Sequence, residues 1–340
     1  MVDLTIVDSL LGVPPGYAPW RAAHLARRAG LLPTWLSCVV AQDQPISSAA
    51  REHLDRVRRS VATLHAIGEE LSTAHHVTVI KGPRIAAHYP PRLLRQSGDT
   101  DLVARDEATL WACVLDLSAR HGAVPQGVNL LQSANAVHLV VAMRWPAEEP
   151  LLDKPLGADI STCAFSGDTR GVPVRAPVLA DDDLCSLFAV AEERFQHPFR
   201  AKDLLDLAVL AEVLDRRFGD RLTELVPELA AGLCLAPELR QLIRKTGDWV
   251  DLPAVWEDVA ARLRPLAQEE KAHRSTRQDI PRLRFGFPLA NARSTAPELR
   301  IHPFDEGELA VTPLGVCLLV DSPTVPEETY VAAVEAAQRL

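Results

Sequence analysis

VTVIKGPRIAAHYPPRLLRQSGDTDLVARD, residues 77–106, is the stretch that decides how this chain is read. The run Val77-Thr78-Val79-Ile80 predicts a short buried strand, and Leu102-Val103-Ala104 closes a second one. Between them, Lys81-Gly82 follows directly on the first strand. Glycine permits a sharp turn, and Pro83 suits the first position of a helix, so the helix would present free N–H groups to a phosphate. Asp99 and Asp101 are two residues apart. On a strand, alternate side chains share a face, and a rise of about 3.3 Å per residue sets the pair roughly 6.6 Å apart at the backbone. Converging carboxylates of this kind are hard oxygen ligands that suit Mg²⁺ or Mn²⁺, which take further ligands from water and substrate phosphates. Two exposed aspartates at a strand end are common; Lys81-Gly82 about eighteen residues earlier is what gives this pair its meaning.

Outward from this stretch, Leu54, Val57, Val61, Leu64, Ile67 and Leu71 recur at helical spacing, predicting a long helix from a cap at Ser47 or Ser48 to about Thr73. Arg51, Arg56, Arg58 and Arg59 lie on its other face, read as solvated or as a ligand-binding patch. A helix is expected from Asp106 to about Arg120, ending before Gly122, and a strand over 136–143. Strand, helix, strand, helix, strand is the skeleton of a small α/β unit. From Asp181 the pattern turns helical: 181–194, 199–218, 221–233, 237–245 and 253–273, the last with a possible kink at Pro265. Strands follow at 283–287, 298–302 and 309–320, then a helix over 326–339 capped by Thr324. The expected organisation is an N-terminal extension (1–46), an α/β core with its preceding helix (47–175), a helical domain (176–278) and a small α+β region (279–340). The apolar pieces Thr5–Leu11 and Leu36–Val40 are too short to classify.

Composition narrows the function classes. The 340 residues are 47% hydrophobic and 24% charged, as in ordinary globular proteins. The start lacks a signal-peptide layout and no apolar run is long enough to span a bilayer, so a cytoplasmic protein without a membrane partner is expected. The six cysteines form no C-x-x-C pair, so neither a zinc site nor a disulfide framework is indicated. A net charge of −9 gives no general attraction to phosphate backbones, and only 5% of residues are aromatic, so no nucleic-acid partner is expected, though a local basic patch is compatible with these values.

The stretch 77–106 resembles the K-G…Y-P…R…D-x-D-L-V signature of an uncharacterised bacterial nucleotidyltransferase family within the DNA polymerase beta superfamily. Lys81, Gly82, Tyr89, Pro90, Arg95, Gly98, Asp99, Asp101 and Leu102 fall at the expected places. Weaker likeness runs from about Ser60 to Leu214; the first 45 and last 60 residues lie outside it. The resemblance implies an α/β (α+β) nucleotidyltransferase core, a mixed sheet flanked by helices. It also implies transfer of an NMP group from an NTP to a hydroxyl, with release of pyrophosphate. Asp99 and Asp101 match the metal carboxylates, and Lys81-Gly82 stands where the wider superfamily usually has Gly-Ser. The third motif, an acid, a leucine or isoleucine, then a histidine, is matched by Ala158-Asp159-Ile160-Ser161-Thr162, which supplies the acid and lacks the histidine. A rival alignment puts Ala136-Val137-His138 there, with the histidine and no acid; Asp159 is preferred because a base or metal ligand matters more to the chemistry.

Lys81, Gly82 and Arg95 are therefore expected to hold the triphosphate of a bound NTP, although Arg95 would equally cap a helix or pair with Asp106. Asp99, Asp101 and Asp159 would hold the metal. Tyr89-Pro90 is expected to pack, and His75, His76 and His197 to be structural or surface residues. Asp203 and Asp206 resemble part of the family's helix after the core, as a wall of the site or as a solvated face. The acceptor is expected to be a small molecule or a peptide. The competing reading is an inactive protein of the same fold that binds a peptide or partner.

Overall fold

The computed structural model describes residues 2–133, 136–277, 280–290 and 294–340; the domain boundary expected at 278–279 lies outside the described residues. Three short helices open the chain, α1 (Leu4–Leu10), α2 (Pro19–Arg28) and α3 (Leu32–Ala41), followed by the long α4 (Ser48–His75). Then come β1 (Thr78–Ile80), α5 (Gly82–Ala86), β2 (Asp99–Val103), α6 (Glu107–His121), β3 (Val124–Gln132), β4 (Val137–Trp145) and β5 (Leu156–Ser161). Helices α7 (Asp182–Glu192), α8 (Ala201–Phe218), α9 (Leu222–Gly232), α10 (Ala236–Gly247) and α11 (Val255–Arg274) form the middle of the chain, with a 3-10 turn Glu193–Phe195 after α7. The chain closes with β6 (Arg282–Pro288), β7 (Arg300–Phe304), β8 (Gly307–Thr312), β9 (Gly315–Val320) and α12 (Glu327–Ala337).

The caps read from sequence form where local chemistry dictates. Ser47 accepts from the Ala50 amide at the start of α4, and Asp106 from the Thr109 amide at the start of α6. Gly122 ends α6 in the left-handed region. Two expectations are corrected at the C-terminus. Residues 309–320 are not one strand: Pro313 cannot donate to a ladder, and the chain turns there to make the β8–β9 hairpin, held by Thr312 Oγ1 donating to Gly315 O at 2.9 Å. Helix α12 is capped at Pro326 without a side-chain hydrogen bond; Thr324 bonds Ser322 instead. Pro265 lies inside α11 without ending it.

The strands form one mixed nine-stranded sheet in the order β1-β2-β5-β4-β3-β6-β9-β8-β7. β2 and β5 run parallel; the other pairs are antiparallel. One face is covered by α4 and α6. Leu64, Ile67 and Leu71 of α4 and Leu110, Val114 and Leu117 of α6 pack there on Leu102, Val141, Met143, Ala158 and Ile160. Residues of opposite parity, including Asp99, Asp101 and Asp159, project from the other face.

Toward the β1 edge that second face meets the helical part, where α7 contacts β1 and α5 contacts both α7 and α8. The first 46 residues share this packing: Val7, Trp35, Leu36 and Val39 belong to the same hydrophobic core as Leu187, Leu205, Leu210 and Leu239. The C-terminal strands extend the core sheet, because β6 pairs with β3 through Leu130–Arg284, Leu131–Leu283 and Gln132–Arg282. No helix among the described residues is long and apolar enough to cross a membrane.

Candidate functional site

Sheet register brings the three aspartates together. Asp101 lies directly opposite Asp159 on the parallel neighbour strand, and Asp99 is opposite Gly157. All three line a cavity of about 330 Å³ with Lys81, Gly82 and Arg95 from the β1 side and His197, Lys202, Asp203 and Asp206 from the helices. The six site residues read from sequence thus border one space. Across the sheet, Arg144 on β4 is opposite Gly157. A Cβ at position 157 would fall 2.4 Å from Arg144 Nη1, so glycine there leaves the path by which Arg144 crosses the strand. Its Nη1 donates to Asp159 Oδ1 at 2.8 Å.

Lys81 stands at the turn out of β1 with φ of 55° and ψ of −140°, a region that a side-chain-bearing residue enters only when its surroundings hold it there. Its ammonium donates to Glu193 Oε1 at 2.5 Å and lies 3.4 Å from Asp101 Oδ2. The unequal distances set the charges. Burial would push Glu193 up, but the charge and hydrogen bond of Lys81 outweigh burial and hold it below the usual carboxylate range. Asp101 is raised, first by burial and then by the like charges of Asp99 and Glu193, with Lys81 opposing. Asp101 is therefore a half-buried acid short of positive charge.

Arg95 is committed elsewhere. Its Nε and Nη2 make a bidentate pair with Asp206, both at 2.8 Å, while Nη1 donates to Ser97 Oγ at 3.1 Å and to Gly82 O at 3.3 Å. With 3% of its side chain exposed, it fixes the Lys81–Gly82 turn against α8, and these bonds engage four of its five N–H groups. The alternative pairing with Asp106 is not formed; Asp106 caps α6 and pairs with Arg105. Tyr89 packs and also donates to Asp206 at 2.8 Å. Neither Asp203 nor Asp206 is on a solvated face: both are buried, and Asp203 accepts from the Arg200 amide at 2.7 Å to cap α8.

Three residues of the site were not picked out by sequence reasoning. Glu193, Arg144 and Lys202 each reach it through packing rather than local pattern, though a lone arginine in the apolar run Val137–Trp145 was a signal. Lys202 is the notable one. It lines the cavity with no ion pair among the described residues, and its pKa is lowered by burial first and then by Arg95, with Asp206 opposing. His197, expected as a bystander, lies 3.3 Å from Glu193 Oε2 at the cavity wall. Of the arginines of α4, Arg56 pairs with Asp153, Arg58 with Asp55 and Arg59 with Glu148.

Hard oxygen donors from two adjacent strands fit Mg²⁺ or Mn²⁺ in kind, and the surplus negative charge at Asp101 fits a cation. Among the described residues no three Asp, Glu, His or Cys side chains stand close enough to hold an ion as they are; Lys81 and Arg144 lie against the acids instead.

No family model and no curated protein matches the sequence. Among solved structures, JHP933 from Helicobacter pylori is similar at 14% identity, covering 67% of this chain and 96% of that chain with a TM-score of 0.31. A likeness at that score carries no argument about fold or function.

Proposed function

We propose that this protein is a metal-dependent nucleotidyltransferase that moves an NMP group from an NTP to a hydroxyl of a small molecule or peptide. The reading rests on one observation above the others: Asp101 and Asp159 directly opposed across parallel strands, with Asp99 on the same face, lining a cavity that a half-buried lysine, Lys202, also enters. Asp99, Asp101 and Asp159 would hold Mg²⁺ or Mn²⁺, which when bound supplies Lewis-acid stabilisation of charge on the phosphoryl oxygens. Lys202 holds the triphosphate, since an anion there relieves a cation that burial disfavours. Lys81 and Gly82 shape the wall beside it, and Arg95 positions that wall through Asp206. Asp159, oriented by Arg144, accepts the proton of the acceptor hydroxyl. The acceptor oxygen forms a bond to the α-phosphorus, the bond from that phosphorus to the bridging oxygen breaks, and pyrophosphate leaves with the electron pair.

One observation favours a second reading, a binding protein of the same fold without turnover: the cations of Lys81 and Arg144 already satisfy part of the carboxylate charge. Incubation with each of the four NTPs, Mg²⁺ and candidate hydroxyl acceptors, followed by mass measurement and pyrophosphate release, separates the two. Transfer that disappears in Asp99→Asn and Asp101→Asn supports the enzyme. Absence of pyrophosphate with every NTP and acceptor, in protein that still binds a partner, supports the second reading.

A further inference from the structure

The 3-10 turn Glu193–Phe195 has two sides. Glu193 faces the carboxylate cavity, while Arg194 and Phe195 line a separate concavity of about 920 Å³ between the loop 168–170, α10 and the end of α11. Arg170, Arg194, Arg240, Arg244 and Lys271 all line it, and none has an acid partner among the described residues. The two acids of the lining are already occupied. Asp168 accepts the amides of Arg170, Gly171 and Val172, and Glu238 takes both terminal nitrogens of Arg274. Arg240 and Arg244 are four residues apart on α10, a like-charge spacing that costs a helix stability unless something anionic offsets it. All this sits on a chain whose net charge is −9, so the rest of the molecule is more acidic still.

We propose that this concavity binds a compact ligand carrying several phosphate groups. Guanidinium forks match phosphate oxygens bidentately, and five cations from four chain segments converge on one open concavity rather than forming a track. Phe195, half-buried with Arg274 5.6 Å from its ring centre, is the aromatic residue of the lining, so successive bases of a single strand have no series of rings to stack on. The preorganisation is visible: Arg194 is oriented by Gln241 at 3.2 Å, and Asp168 fixes the backbone from which Arg170 projects. The site is independent of the reading given to the carboxylate cavity and stands whether or not that cavity transfers nucleotides.

The test uses the full chain and inorganic tripolyphosphate in calorimetry without added metal, at low and at physiological salt. Wild type binds, more weakly as salt rises. The double variant Arg240→Gln with Arg244→Gln loses about tenfold or more in affinity, because hydrogen bonds to charged groups are lost, with an unchanged circular dichroism spectrum. Lys271→Gln, on another helix, weakens binding in the same direction. Lys202→Ala removes any binding at the other cavity, where Lys202 lies, and retains the binding that Arg240 and Arg244 support. The proposal falls if wild type shows no binding, if the arginine variant binds as well as wild type, or if Lys202→Ala alone abolishes the signal. It also falls if an oligonucleotide binds through these arginines more tightly than tripolyphosphate, which would make the partner a nucleic acid.

Discussion

Asp101 and Lys81 are 3.4 Å apart, close enough to attract and too far for Lys81 to neutralise an acid that Asp99 and Glu193 also repel. The folded pKa of Asp101 is therefore above its ordinary 3.8. For an acid raised in this way, ionisation costs folding stability: the cost is absent below the unfolded value, grows as pH rises through the window up to the folded value, and is complete above it. Asp101→Asn is always neutral, so at pH 7 it is expected to melt at or above the wild-type temperature, with the gap narrowing as pH is lowered toward 4. On the proposed reading the same variant loses transfer by roughly 10²–10³-fold or more; a thermal melt and a pyrophosphate assay on one preparation check both, and near wild-type turnover would remove Asp101 from the reaction. Lys202 behaves differently, because it has no partner to strand. Lys202→Ala is expected to raise KM for the NTP about tenfold with kcat little changed, whereas Lys81→Ala leaves Asp101 and Glu193 short of a cation and adds a stability loss of about 1–3 kcal/mol. An unchanged KM in Lys202→Ala would return that lysine to a packing role.

At the scale of elements, the site is held by ties between segments distant in sequence. The Arg95–Asp206 pair joins the loop after α5 to α8, with Tyr89 on the same carboxylate. Breaking one side of so buried a pair leaves an uncompensated charge, and Arg95→Met is expected to cost about 3–5 kcal/mol in denaturant unfolding. Arg95→Met combined with Asp206→Leu should cost clearly less than the two single losses added together, because neither charge is then left alone. Additive losses would mean that the pair does not act as a unit. This is also where sequence reading stopped. Asp106, Ser47 and Gly122 act on their own helix ends, so their roles were legible, as was the common face of Asp99 and Asp101. Arg95 and Asp206 are 111 residues apart, and no local pattern announces their meeting; the same holds for Glu193 at Lys81 and for Arg144, which reaches Asp159 only because β4 pairs with β5 in one particular register.

Over the whole molecule, the alternation of strand and helix was enough to read a mixed α/β class, but not how its parts join. β3 carries Pro125 and Gly127 and a register shift between them, so its strand signal is weak, and its pairing with β6 is not encoded in either segment alone. That pairing makes strands β6–β9 continuous with the core sheet. Ala310, Cys317 and Leu319 accordingly join the hydrophobic core beneath α4 and α6. The junction has a sharp steric requirement: a Cβ added at Gly286 would lie 2.2 Å from Val128 O on β3, and because that atom is backbone, the strands themselves must shift. Gly286→Ala is expected to lower stability by about 1–3 kcal/mol, with one cooperative transition moved to lower temperature and faster amide exchange in β3 and β6. The carboxylate strands β2 and β5 are separated from the junction by β4, so nucleotide transfer assayed well below the melting point should change little. If residues 281–340 folded as a separate unit, the variant would instead split the melt, with a destabilised minor transition and a main one at the wild-type temperature. Calorimetry of the full chain distinguishes a single shifted peak from two, and two peaks would show that the nine strands do not unfold as one sheet.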